Sequence, residues 1–160
     1  MNCSFLSRVN MVVLGCLCLA ACSKSGSSKE KTKTELISST SWKFSQAGID
    51  PDNNGTIDIP APAALIEPCV TDNKVTFKSD KSGTVDEGAI KCNAADPQTS
   101  TFTWSLSSNE SMITFSGAVI AGIGGEAKIV EITDSRFVLS KSLPITGYPL
   151  PIPIVVVLVH

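Results

Sequence analysis

Between Asp50 and Asp58 the chain reads Asp-Pro-Asp-Asn-Asn-Gly-Thr-Ile-Asp, with oxygen-bearing side chains at alternate positions and a glycine sixth. Asp50, Asp52, Asn54 and Asp58 offer carboxylate or amide oxygens, and Thr56 can add a main-chain carbonyl. Gly55 allows the sharp turn that a calcium loop needs. The pattern breaks at its twelfth position, where Ala61 stands in place of a bidentate glutamate, and no helical pattern flanks it. Glu67 would substitute only if the segment carrying it folded back. The alternative is a plain turn in which Asp, Asn and Gly serve the backbone. Ca2+ is the one cofactor these residues call for.

Other chemistry finds little support. Asp86 and Glu87 are adjacent carboxylates, but neighbouring strand residues point to opposite faces, which rules out a general acid/base pair. The only histidine is His160, so no Ser/His/Asp, Cys/His or histidine-metal set can be assembled. Gly122-Ile123-Gly124-Gly125 lacks the lysine and following helix of a phosphate loop and reads as a hairpin turn. From Leu36 to His160 the chain carries 8 Lys and Arg against 13 Asp and Glu, a net charge of −5. A phosphate-backbone binder needs a basic footprint, so nucleic acid is excluded as a partner.

The N-terminus has the three parts of a secretory signal: Arg8, an apolar run Met11–Leu19, then the small residues Ala20 and Ala21 before Cys22. The run is shorter than the roughly 20 residues a membrane span takes. Leu19-Ala20-Ala21-Cys22 resembles the lipobox of bacterial lipoproteins. That resemblance implies a signal peptide over residues 1–21, cleavage before Cys22 and acylation of the Cys22 sulfur, with the membrane as the partner of the attached lipid. Each buried methylene contributes about 0.8 kcal/mol, so two or three chains anchor durably. Lys24 stands where an inner-membrane protein often carries Asp, which favours the outer membrane; no feature distinguishes its periplasmic from its outer face. The rival is an ordinary signal peptide with Cys22 an incidental thiol. Ser23–Glu35 is polar and Gly/Ser/Lys-rich, so residues 22–35 form a lipidated cysteine and tether. As a flexible coil the tether spans roughly 20 Å.

Cys3, Cys16 and Cys18 fall within the leader, which leaves Cys69 and Cys92 beside the acylated Cys22. Two remaining thiols in an exported domain most simply form one disulfide. A metal or redox site is the alternative, without a C-x-x-C pair or a nearby histidine to support it.

Residues 36–160 suit one domain that buries about two thirds of its surface on folding. Gly and Pro together number 20 in the full chain and aromatics are few, which points to short strands and turns. Ser41–Ile49 reads as the first strand, and Asp50–Asp58 as a polar turn. Pro62–Glu67 is the only short helical candidate, ended by Pro68. Lys74–Lys78 and Thr84–Asp86 make a hairpin. Thr101–Leu106 alternates Phe102, Trp104 and Leu106 against hydroxyls, as a half-buried strand does. Met112–Phe115, Ala127–Thr133, Arg136–Ser140 and Ile152–Val159 complete the set. Pro151 and Pro153 confine the start of the last strand to an edge or unpaired stretch. Seven or eight short strands make an all-β fold, either a meander closed into a small barrel or a β-sandwich.

The order of features resembles the lipocalin-like domain of small lipoproteins from Gram-negative bacteria. It is carried by Thr40-Ser41-Trp42-Lys43, the Asn-Gly turn, Pro68-Cys69-Val70-Thr71-Asp72-Asn73, Val85-Asp86-Glu87-Gly88-Ala89-Ile90-Lys91-Cys92, Asp96-Pro97-Gln98-Thr99 and Phe102-Thr103-Trp104-Ser105-Leu106. The likeness runs from about Leu36 to Ser140. It implies an antiparallel, up-and-down β-barrel of about eight strands with one short helix and the two cysteines bridged. Thr40 stands where a glycine is usual, and the Pro-rich end from Leu143 matches nothing in the pattern, which leaves the closing strand open.

Trp42, Phe77, Phe102, Trp104, Phe115 and Phe137 could line a cavity or serve as plain core, because an eight-stranded barrel is just wide enough for either. The leading expectation is a non-catalytic, lipid-anchored envelope protein that takes a small apolar or amphipathic ligand. A filled barrel acting as a structural or protein-interaction module is the alternative, with its protein partner unknown. An envelope hydrolase ranks third.

Overall fold

The computed structural model describes residues 29–120, 123–144 and 149–160. The leader, Cys22, the tether before Lys29 and Gly122 of the glycine run lie outside the described residues.

The first element is a helix, α1 (Lys33–Ile37). Thr32 caps it: its hydroxyl accepts the Glu35 N–H while the Glu35 carboxylate accepts the Thr32 N–H, closing a reciprocal capping box. The expected tether, reaching to Glu35, therefore gives way to structure at Thr32. Its polar composition concealed a T-x-x-E start signal just ahead of Leu36 and the fully buried Ile37.

Nine antiparallel strands follow: β1 (Ser41–Ile49), β2 (Ile59–Pro60), β3 (Lys74–Phe77), β4 (Ser82–Asp86), β5 (Thr99–Leu106), β6 (Met112–Ile120), β7 (Ile123–Ile132), β8 (Arg136–Leu143) and β9 (Ile152–Val159). β1 pairs with β3, each of β3 to β8 pairs with the next, and β9 returns to β1 from Lys43↔Val159 to Ile49↔Ile154. That contact closes an eight-membered ring. The two-residue β2 lies outside the ring count, paired with the end of β1. The sandwich alternative falls, because a closed ring has no second sheet. Register shifts in β1, β6 and β7 supply the local coiling that closure requires.

The short helical segment differs from expectation. Ala63–Leu65 is a single 3-10 turn, and a second helix, α2 (Pro68–Thr71), begins at Pro68. Proline at the first helical position has its fixed φ in the helical range and loses no needed donor, so Pro68 starts a helix instead of ending one.

The alternating strands obey their pattern: in β5 Phe102 and Trp104 are buried between exposed neighbours, and in β3 Val75 and Phe77 are buried. Val155–Leu158 of β9 is buried throughout. Val156 and Leu158 face the barrel core, while Val155 and Val157 join Val138 in a cluster on the outer wall, covered by Ile57 and Val130. The Asp50–Asp58 turn folds back over that wall, with Gly55 so close to Val130 that a Cβ there would lie 2.5 Å from it. Pro153 pairs with Ser142 of β8, and its carbonyl accepts the Asp50 N–H just beyond the β1–β9 ladder. Its missing donor thus falls where no strand asks for one.

Candidate functional site

The barrel has two unlike ends. At one, β1 and β8 begin, β9 finishes, and α1 lies across the opening. Lys81 at the β3–β4 turn donates to Thr34 Oγ1 at 2.8 Å, Lys33 donates to the Glu110 carbonyl at the β5–β6 turn at 2.7 Å, and Lys31 pairs with Asp134 at the β7–β8 turn. The helix is thus fastened to three successive hairpins. Lys81 also sits 4.0 Å over the Trp104 ring, a cation–π contact that joins plug to wall.

Behind the plug the aromatics fill the barrel. Phe77 meets Phe102, Trp104, Phe115 and Phe137 at centroid distances of 5.3 to 6.1 Å, mostly edge to face. Trp42 meets Phe137 at 5.5 Å. Gly83 is the strand residue paired with Phe102, and its missing side chain is where the Phe102 ring rests, 2.3 Å from the position of a Cβ. Trp42, Phe77, Phe102, Trp104, Phe115 and Phe137 all belong to one buried core. None of the six is among the residues that line the cavity described next; they pack against one another as core.

The space lies at the other end. A cavity of about 380 Å³ opens among Phe44 and Ala47 of β1, Ala61, Ile66, Glu67 and Val70 of the β1–β3 connection, and Ile123, Leu143, Ile154 and Val156 of β7, β8 and β9. The strand signal for it was available: Ala47, Ile154 and Val156 are inward residues of the barrel that are smaller than the aromatics of the closed end. Nothing local in the sequence announces that Ala61 to Val70 would cover them.

That cover is tied down by the most distinctive motif in the chain. Cys69 and Cys92 form a disulfide with Cα atoms 5.0 Å apart, joining the connection to the β4–β5 loop. Asp72 Oδ2 accepts the Ala89 and Ile90 N–H groups at 2.7 and 2.9 Å. The Asn73 amide nitrogen donates to the Cys69 and Glu87 carbonyls at 2.9 and 3.0 Å. Gly88 has φ +68°, and a Cβ there would fall 2.6 Å from the Asp72 carboxyl, so only glycine suits the position. Asp86 accepts from Gln98 Nε2 and the Gly88 N–H, which holds its carboxyl below the usual range. The block of cysteines, carboxylates and glycine from 69 to 98 is a fastening for two loops.

The lipocalin-like domain family model matches residues 27–139. The chain belongs to the lipocalin-like domain family. No curated protein matches it. The family match stops within β8, yet the lipocalin-like barrel here is closed by β9, the strand that the sequence places at Ile152–Val159. Domains of this family are generally non-catalytic binding proteins.

The acidic turn of this lipocalin-like domain is occupied mostly with itself. Carboxylate oxygens of Asp50, Asp52 and Asp58 come within 4.8 Å of one another. Asp50 is fully buried, and its two oxygens accept the Asn54 and Gly55 N–H groups at 3.0 and 2.7 Å. Asp52 accepts from Asn54, and Asn54 Oδ1 accepts from the Thr56 N–H and hydroxyl. Burial pushes the Asp50 carboxyl up, but the N–H of Gly55, the Asp52 side chain and the N–H of Asn54 outweigh it and leave it below the ordinary value. Asp58 goes the other way, raised by burial and then by the charges of Asp52 and Asp50. Glu67 does not join these carboxylates; it stands at the cavity beside Cys69. Gly124 and Gly125 belong to strand β7 and not to a turn.

Proposed function

We propose that this is a non-catalytic lipoprotein of the cell envelope, acylated at Cys22, that holds one small apolar or amphipathic molecule in the open end of its barrel. The observation that carries the reading is the apolar cavity of about 380 Å³ beneath the disulfide-tied connection. Its size falls at the lower end of small-ligand sites, and its walls are of the kind such sites use. The lipobox-like Leu19-Ala20-Ala21-Cys22 and the signal-like leader support export and attachment, and Lys24 favours the outer membrane.

Native mass spectrometry of the full chain tests the ligand. A small-molecule adduct that an apolar probe displaces is the expected result; a protein that stays empty and takes up no probe overturns it. Labelling with palmitate tests the anchor: label should enter the wild-type protein and be lost in Cys22→Ser.

One observation favours a second reading, an envelope interaction module. Ile59 and Leu150 are 53% and 73% exposed and share an apolar strip with Pro51, Pro149 and Pro151 on the outer surface. Crosslinking in intact envelopes that captures one protein, and fails when Leu150 is made Asp, would favour it.

A further inference from the structure

The geometry points to Glu67 as the residue that sets the charge of the ligand's head group: the cavity takes amphiphiles with a cationic or neutral, hydrogen-donating head and disfavours fatty-acid carboxylates. This inference rests on the ligand-binding reading above and specifies it.

Among the described residues every other lining residue is apolar, so there the carboxylate is the only side chain that can answer a polar head, and none of them is basic. Glu67 has acceptor capacity to spare. It sits at the N-cap position of α2 without making a side-chain cap. Among the described residues its carboxylate neighbours are the two bridged sulfurs, Cys69 Sγ at 3.6 Å and Cys92 Sγ within 4.8 Å, and a bridged sulfur has no proton to donate. Neither Lys91 nor Lys141 lines the cavity; their ammonium groups are held at the carbonyls of Ala94 and Asp96 and of Gly124. The net charge of −5 from Leu36 to His160 adds to the same field.

A carboxylate head entering this space meets a like charge with no cation to pair it, whereas an ammonium gains a partner and a hydroxyl gains an acceptor. Because Glu67 is exposed to solvent on one side, the discrimination is modest, on the order of tenfold between the two charged heads.

The test uses the full chain, kept soluble in a fluorinated surfactant whose tails mix poorly with hydrocarbon. N-phenyl-1-naphthylamine is displaced in turn by decylamine, decanol and decanoate at neutral pH. Decylamine should bind tightest and decanoate weakest, about tenfold apart. Glu67→Gln, which keeps size and shape, should bring the three within about twofold while leaving decanol unchanged. Glu30→Gln removes a carboxylate at the plugged end and should leave the order intact. Decanoate binding as tightly as decylamine to the wild type overturns the inference. So does an order that survives Glu67→Gln, or one that Glu30→Gln abolishes equally. Probe that binds while the order fails sinks the role of Glu67 alone; absence of any probe binding sinks the ligand-binding reading with it.

Discussion

Trp42 and Ile37 are both fully buried, and the indole Nε1 donates a 2.8 Å hydrogen bond to the Ile37 carbonyl. One bond thus joins the last residue of α1 to the first strand of the barrel. Trp42→Phe keeps a ring in place but leaves that carbonyl without its donor, and should cost about 1–3 kcal/mol in urea unfolding. An unchanged midpoint would mean the plug is held by Lys31, Lys33 and Lys81 instead.

Asp72 receives two backbone N–H groups from a loop that has no ladder of its own at that point. Asp72→Ala should destabilise by about 1–3 kcal/mol, since two donors lose their acceptor. Gly88→Ala should do the same through the positive φ and the clash with Asp72. The double variant should cost less than the sum, because both changes break one contact.

Reducing the Cys69–Cys92 bridge releases the cover of the cavity from the β4–β5 loop. Loss of the crosslink should lower stability by about 3 kcal/mol. Probe affinity should fall with it, because Ile66, Glu67 and Val70 are held in place from Cys69. Retained affinity in the reduced protein would assign the ordering of that segment to Asp72 and Asn73.

The two shifted aspartates of the acidic turn have opposite signs. The raised Asp58 is ionised less readily in the folded chain, so its stabilising effect is present below the ordinary value of 3.8 and is lost as pH rises through its raised value. Asp58→Asn should therefore raise the melting temperature at pH 7, with the gain vanishing toward pH 3. The depressed Asp50 contributes stability above 3.8 that disappears as pH falls further. Asp50→Asn should destabilise at neutral pH, as an amide cannot accept both N–H groups.

Millimolar Ca2+ should leave the melting temperature where a chelator leaves it, within about 1 °C. Asp50 and Asn54 already spend their oxygens on the turn's own N–H groups and on Thr56, and a bound ion would have to displace them. A rise of several degrees, abolished by Asp52→Asn, would make the turn a calcium site.

The strands that alternate were legible because one face meets the core: Phe102 and Trp104 between hydroxyls in β5, Val75 and Phe77 in β3. Ends were harder. β6 continues past Phe115 to Ile120 through Ser116, Gly117 and Ala118, which have little strand propensity and lie where the pairing with β7 shifts register. The helix at Lys33 hid in a charged run, although Thr32 and Glu35 spelled out its cap. The site was half legible. Aromatic positions marked the interior, but whether an interior is filled depends on which rings interlock across the barrel. The cavity depends on a connection crossing back over Ala47, a relation between residues far apart in the chain that no local pattern carries.

The plug of α1 makes the two ends of the molecule mechanically unlike. Any support that grips the chain ahead of Lys29 grips it where three hairpins meet, so a pull is shared among Lys31, Lys33 and Lys81 before it reaches the sheet. An anchor at Cys22, as proposed above, would lie on the side of this plug, and the opposite rim, with Glu67 at its edge, would face away from it.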